Sequence, residues 1–213
     1  MPSVTLTNLQ DRIYSRLDNN TTLYTSAEVT SAINEQLRIV NLATGYIQTT
    51  GSVATVSNQV WYTVPAGIIV PMRMKWNNVF IERCSLNNLG EYSVRWLTET
   101  TANKGIGVSK WALAGLQMFA IYPADSVAGN TIVITGIAEP TILANGTDVL
   151  PMPNEYSEVI EDLAVVALIL KEGGRIFADA MQIYKRAQSK LKLLSIWQLS
   201  REPAATADKV QPV

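Results

Sequence analysis

The chain has 213 residues, with 17 Lys and Arg against 18 Asp and Glu, one cysteine and no histidine. This composition excludes an internal disulfide, the usual zinc sites and the histidine-based nucleophile–base pairs. The net charge of −1 supplies no basic face for binding nucleic acid by phosphate neutralisation.

The opening residues "MPSVTLTNLQDRIY" have neither the basic stretch nor the apolar core of a signal peptide. No run approaches the ~18 apolar residues of a membrane span. The expectation is a protein made in a cytoplasm with no membrane partner, in which the N-x-S/T matches at Asn19, Asn20 and Asn145 are chance. Thr7-Asn8-Leu9-Gln10 has the form of a capping box, and Leu9, Ile13 and Leu17 follow on one stripe, predicting a short helix. After a polar loop at 18–22, Thr25-Ser26-Ala27-Glu28 is a second box ahead of Val29, Ile33, Leu37 and Val40, with Gly45 as the stop.

From Tyr46 the period shortens. Strands are expected at 53–56, 59–64, 68–76, 79–84, 110–114, 116–122 and 131–138, with Asn77-Asn78 as a hairpin turn and a helical stretch over 85–96. The stretch "FAIYPADSVAGNTIVITGIAEPTIL" at 119–142 reads as a hairpin around Gly129-Asn130. Pro123 and Pro140 lack the N–H that would extend a ladder, so each is expected to end its strand and keep a sheet edge closed. Pro151 and Pro153 set an extended approach to Asn154 as N-cap of the next helix.

That helix carries Tyr156, Val159, Ile160, Leu163, Val166, Ala167 and Leu170, and Gly173-Gly174 breaks it. A second run places Phe177, Ala180, Met181, Tyr184, Ala187, Leu191 and Leu194 on one stripe, out to about Trp197. The expected fold class is therefore α+β. A discontinuous helical domain (1–48 and 151–198) receives an inserted, mainly antiparallel β domain (49–150), and a polar tail follows at 199–213. A carboxylate at Leu163 or Tyr184 should prevent folding, whereas Glu158→Ala and Lys190→Ala should be tolerated.

Only 16% of residues are charged, against about 25% in an ordinary soluble domain. None lies between Arg38 and Arg73, and residues 39–152 hold twelve charges in 114 positions. Strands this neutral are poorly protected against edge pairing, which points to a subunit that covers surface against copies of itself or other partners.

Catalytic patterns are weak. Glu155, Glu158, Glu161 and Asp162 begin one helix and Lys185, Arg186, Lys190 and Lys192 end the next, as the helix dipole favours, and the basic group is a possible DNA or partner contact. Ser189-x-x-Lys192 lacks the companion motif of a serine nucleophile and should face water. "KGIGVSK" at 104–110 is not a phosphate loop, and Cys84 has no histidine to activate it. Trp61, Trp76, Trp96, Trp111 and Trp197 could stack on sugars or bases, but four of them adjoin β segments, where core or subunit contacts are the ordinary role.

Trp111, "FAIYPA" (119–124), "TIVITG" ending at Pro140, Leu143, Leu150-Pro151, Tyr156, Leu163, Ala167 and Tyr184 occur in a familiar order, after "LQDRIYSRL" and "SAEVTSAINEQLRIV". In these features the chain resembles the head-to-tail adaptor, or connector, proteins of tailed bacteriophages, the group that includes tail tubular protein A. Asp125 stands where a second proline often follows Tyr-Pro-Ala in that group. The resemblance implies a structural virion protein of the neck and tail, without enzymatic activity or cofactor. Such a protein would form a ring of identical subunits, usually twelve, beneath the portal protein and line the DNA exit channel, with only transient non-specific contact with DNA. Its other partners would be a tail nozzle or next tail protein, and tail fibres. The resemblance also implies that the C-terminal segment grips the portal, through Arg201, Glu202, Pro203, Asp208 and Lys209. Two other classes are a β-rich carbohydrate- or partner-binding tail component and, least favoured, a carboxylate-dependent hydrolase.

Overall fold

The computed structural model describes residues 3–172 and 177–201. The fold is mixed α+β, with chain contacts dividing into two compact units, Met1–Tyr46 with Pro140–Val213, and Ile47–Glu139.

In the first unit, α1 (Leu6–Arg16) is capped by Thr5, whose hydroxyl accepts from the Asn8 N–H while the Asn8 side chain accepts from the Thr5 N–H. The box expected at Thr7–Gln10 is thus displaced by two residues. The reason lies far along the chain: the Leu6 N–H donates to the Asp148 carbonyl (2.9 Å) and the Thr7 N–H to the Gly146 carbonyl (3.0 Å). Residues 146–148 thereby satisfy donors that a helix start otherwise leaves free. The Asp148 carboxylate in turn accepts from the Ala144 and Asn145 N–H groups, both at 2.8 Å, which hold it below its ordinary carboxylate pKa.

Helix α2 (Ser26–Thr44) has the expected Thr25/Glu28 box and ends at Gly45, whose φ of 65° needs a residue without a Cβ penalty. Leu9 and Ile13 of α1 and Val29, Ile33, Leu37 and Val40 of α2 are buried. Asn154 is not an N-cap. It lies in a 3₁₀ turn (Asn154–Tyr156), and its carbonyl accepts from the Ser157 hydroxyl at 2.7 Å.

Helix α5 (Ser157–Glu172) buries Val159, Ile160, Leu163, Ala164, Val165, Val166 and Leu168, and so is covered nearly all round by α1, α2 and α6 (Phe177–Arg201). Among the described side chains of α6 only Ala180 and Ala187 are fully buried, small residues that let it approach α5 closely. The stripe expected on α6 is therefore narrower than the sequence suggests. Tyr184 is 38% exposed, so the expectation that Tyr184→Asp prevents folding is withdrawn. The Gly173-Gly174 break lies outside the described residues.

The second unit is a seven-stranded sheet in the order β1-β7-β3-β4-β5-β6-β2. The strands are β1 (Gln48–Ala54), β2 (Trp61–Thr63), β3 (Ile68–Trp76), β4 (Val79–Cys84), β5 (Lys110–Ala114), β6 (Met118–Tyr122) and β7 (Thr131–Ala138). All pairings are antiparallel except β4 with β5. Asn77 and Asn78 take positive φ at the β3–β4 turn, as Asn-rich two-residue hairpins require.

One core cluster draws on most of the strands, including Tyr62, Met74, Ile81, Trp111, Phe119, Ile121, Ile132 and Ile134. The opposite face of β5 and β6 is covered as well. There Ala112, Ala120 and Tyr122 pack with Leu89 of α3 (Leu86–Tyr92), which stops short of the expected 85–96. A further one-turn helix, α4 (Thr101–Lys104), precedes β5. In the middle of the sheet, Gly136 of β7 sits against β3, where a Cβ would come within 2.4 Å of the Val70 carbonyl oxygen. The same stretch of β3 absorbs Pro71 at a register shift.

The hairpin expected at 119–142 does not form. β6 pairs with β5 and β2, and β7 pairs with β1 and β3. Gly129 and Asn130 are not a hairpin turn, because the Gly129 N–H donates to the Thr55 carbonyl (2.8 Å) and the Thr55 N–H to the Asn130 carbonyl (2.7 Å). These bonds continue the β1–β7 ladder. Pro123 and Pro140 do end their strands, but neither protects an edge, since the edge strands are β1 and β2.

Asp125 organises the connection from β6 to β7. It is buried, and its carboxylate accepts from Trp76 Nε1 (2.8 Å), Asn130 Nδ2 (2.8 Å) and the Val127 N–H (3.0 Å). Burial pushes its pKa up, but these donors together outweigh burial and hold it below the ordinary aspartate value. Such a group stabilises the fold above its unfolded-state pKa, and that contribution is lost as pH falls through the lower folded value. Asp125→Ala should destabilise the protein by about 3 kcal/mol, because it strands buried donors. In melts between pH 7 and pH 3, the variant should lose less stability than the wild type.

Candidate functional site

The densest polar constellation joins three helices of the first unit. Arg12 and Arg16 lie one turn apart on α1, Glu158, Glu161 and Asp162 on α5, and Arg186 and Lys190 one turn apart on α6. Asp162, with its side chain 0% exposed, is the centre. It accepts from Arg16 Nη2 at 2.7 Å, from Arg186 Nε and Nη2 at 3.0 and 2.6 Å, and has Lys190 Nζ at 3.9 Å. Glu161 accepts from Arg12 Nη1 at 2.9 Å, and Lys190 also pairs with Glu158. A separate contact joins Lys171 of α5 to Glu28 of α2 at 2.5 Å.

The electrostatics follow from this packing. Hydrogen bonding to Asp162 raises the Arg186 pKa. Burial raises that of Glu161 despite its bond to Arg12. Glu28 is lowered to about 2, first by its bond to Lys171 and then by the Thr25 cap.

The helix dipole alone does not account for two of the acidic residues, since Glu161 and Asp162 are buried against cations from α1 and α6. Because α5 is covered nearly all round, the polar positions Glu161 and Asp162 also meet other helices. Charge at those positions survives only with partners. A signal was present in the sequence, where Arg12 and Arg16 share one face of α1 and Arg186 and Lys190 one face of α6.

Chemically the cluster is closed. Glu158, Glu161 and Asp162 each already hold a cation, so none is a free base or nucleophile. Among the described residues no group of three or more possible ligands could hold a metal ion.

The other sequence candidates sort similarly. Ser189 is exposed and donates to the Lys185 carbonyl. The thiol of Cys84 donates to the Trp111 carbonyl, and burial pushes its pKa up, away from reactivity. "KGIGVSK" runs from the end of α4 into β5.

The tryptophans of the β unit share no open face. Trp111 is buried, Trp76 is tied to Asp125, and Trp61 meets Trp96 edge-on at 5.7 Å. Of the basic candidates, Arg186 and Lys190 turn toward the protein's own carboxylates, while Lys185 and Lys192 are exposed with no ion-pair partner among the described residues. Arg201 closes α6, and its side chain lies outside the described residues, together with Glu202, Pro203, Asp208 and Lys209.

Part of the exposed surface described on this unit is apolar. Leu170, Met181 and Tyr184 line a groove of about 320 Å³ between α5 and α6, and Leu193, Ile196 and Trp197 are exposed farther along α6. The helical period marked several of these as interior positions.

An apolar groove and exposed apolar residues on a helix are surface of the kind that contacts other proteins. The profile of the SU10 adaptor protein family matches residues 4–209. The chain belongs to this family. No curated protein matches it. The chain is thus a phage head-to-tail adaptor protein, of a structural protein family whose members are virion components. The match runs through both units of the adaptor and past the end of α6.

Removing the central carboxylate should separate structural from surface charge. Asp162→Asn should cost about 3–5 kcal/mol by leaving Arg16 and Arg186 without a buried counter-charge, while Glu158→Ala should stay within about 1 kcal/mol. Glu161 has the opposite pH sign to Asp125. With its folded pKa raised, ionisation opposes folding, so stability falls as pH rises from the unfolded value through the folded one. Glu161→Gln should flatten that fall in melts followed between pH 4 and pH 7.

Proposed function

We propose that this adaptor assembles as a ring of identical subunits, a dodecamer, which docks beneath the portal of the filled capsid. The ring offers a platform to the tail nozzle or next tail protein, and to tail fibres, and its bore forms part of the DNA exit channel. The observation that carries this reading is the family match over residues 4–209. The low charge supports it, because neutral strands suit lateral contacts and a net charge of −1 suits a bore through which DNA slides without sticking.

The portal contact is assigned to the tail, with Arg201, Glu202, Pro203, Asp208 and Lys209 supplying polar contacts along an extended segment. A segment that orders on docking gives up part of its binding energy but covers a large surface. Lys185 and Lys192 are the groups free to touch DNA or a partner. Arg186 and Lys190 would contribute only their outward edges.

The test is to mix the full chain with portal rings and measure the mass of the complex. A dozen copies on each portal ring support the reading, and a single copy or none overturns it. A chain ending at Ser200 should fold but lose portal binding, and unchanged affinity would remove the tail from the portal contact.

A further inference from the structure

The segment that satisfies the start of α1 also carries the chain's one Asn-Gly dipeptide, Asn145-Gly146. This segment is tied down at both ends. The Leu143 N–H donates to Asn34 Oδ1 (2.8 Å) and the Asn34 amide to the Leu143 carbonyl (2.9 Å), while the Leu150 N–H donates to the Val4 carbonyl (2.9 Å). Between these ties Asn145, Gly146 and Thr147 are exposed.

The local backbone presents the reacting groups. The Asp148 N–H donates to the Asn145 carbonyl (2.9 Å), so residues 145–148 form a tight turn with Gly146 at its second position. There the Gly146 N–H has no hydrogen-bond partner among the described residues. A side chain at this position is excluded, because a Cβ would lie 2.4 Å from Thr7 Oγ1, whose hydroxyl donates to the Gly146 carbonyl (3.0 Å). The close contact that anchors α1 therefore leaves the nitrogen beside Asn145 without a shielding side chain.

We propose that Asn145 is a site of spontaneous deamidation, and that this covalent change loosens the start of α1. The Gly146 nitrogen gives its proton to solvent and attacks Asn145 Cγ. The Cγ–Nδ2 bond breaks, the nitrogen takes a proton back and leaves as ammonia, and a cyclic succinimide remains. Water then opens the ring at either carbonyl, giving aspartate or isoaspartate.

Both products place a carboxylate where an amide stood. Asn145 Nδ2 faces Asp148 Oδ1 at 3.5 Å, and the Asn145 N–H donates to Asp148 Oδ2 at 2.8 Å, so the new charge meets an existing like charge. Isoaspartate also routes the backbone through the side chain, which adds a methylene ahead of Gly146. That displaces the Gly146 and Asp148 carbonyls, the acceptors for the Thr7 and Leu6 N–H groups.

The experiment incubates the full chain, folded, in mildly alkaline buffer beside a sample in urea, and resolves the peptides spanning residue 145 by chromatography and mass. In the folded sample this peptide should convert to aspartyl and isoaspartyl forms, faster as hydroxide rises. Asn58, Asn78 and Asn103, which are also exposed but precede residues with side chains, should stay intact. Asn145→Gln, which would have to close a larger ring, should neither convert nor change the melt. In the converted chain, hydrogen-exchange protection of the Leu6 and Thr7 amides should fall by about fivefold, the size of one lost hydrogen bond each.

If residue 145 stays intact in the folded chain, the site is overturned, and conversion in urea would then show that the turn holds the amide away from attack. If it converts while Leu6 and Thr7 keep their protection, the effect on α1 is overturned. Asn145→Asp adds the charge without the methylene and should lower that protection by a smaller factor; an equal or larger loss would remove backbone lengthening from the account.

Discussion

The helical unit depends on one buried carboxylate. Removing Asp162 from water carries a penalty of several kcal/mol, which its burial among α1, α5 and α6 imposes in full. Arg16 and Arg186 offset that penalty with short, charge-assisted hydrogen bonds, and Lys190 adds a longer-range charge. Apolar packing alone would let α6 slide or rotate over Ala180 and Ala187, whose small side chains give little registration. The two-pronged contact from Arg186 fixes both, because a guanidinium fork fits a carboxylate in one orientation. The clamp ends at Lys190, and the part of α6 beyond it carries the exposed apolar residues.

The β unit solves a different problem with the same physics. Its strands carry few charges, so side-chain electrostatics cannot set register. Local backbone devices do so instead: the Asn77-Asn78 turn, the close approach at Gly136 and the register shift around Pro71. Asp125 then directs the chain from β6 across to β7 by binding Trp76 from β3 and Asn130 from the connection itself. In both units a single buried aspartate, fully supplied with donors, decides which elements become neighbours.

Much of this was legible in the chain. The Thr25/Glu28 box, the Gly45 stop and the bounds of β3, β4, β5 and β7 follow from period and turn chemistry, which act within a few residues. The errors share one cause. Thr5 rather than Thr7 caps α1 because residues 146–148 arrive there from far away in sequence. β6 and β7 do not pair because Thr55 takes up the Gly129-Asn130 segment. Helical period placed Leu163 in the core correctly but over-assigned Tyr184, since period gives direction and not whether a neighbour stands there. The charge cluster was visible only as basic pairs one turn apart on α1 and α6 and an acidic start to α5. Its closure depends on three helices meeting, which no local pattern encodes.

The central claim is that Asp162 holds α6 in place independently of the β unit. Native-state hydrogen exchange, read residue by residue in the wild type and in Asp162→Asn, tests it directly. The account predicts that amide protection falls in α6 around residues 182–190 and in the facing turns of α1 and α5, while β3 and β7 keep their wild-type protection. Equal loss across both units, or unchanged protection in α6, would contradict it.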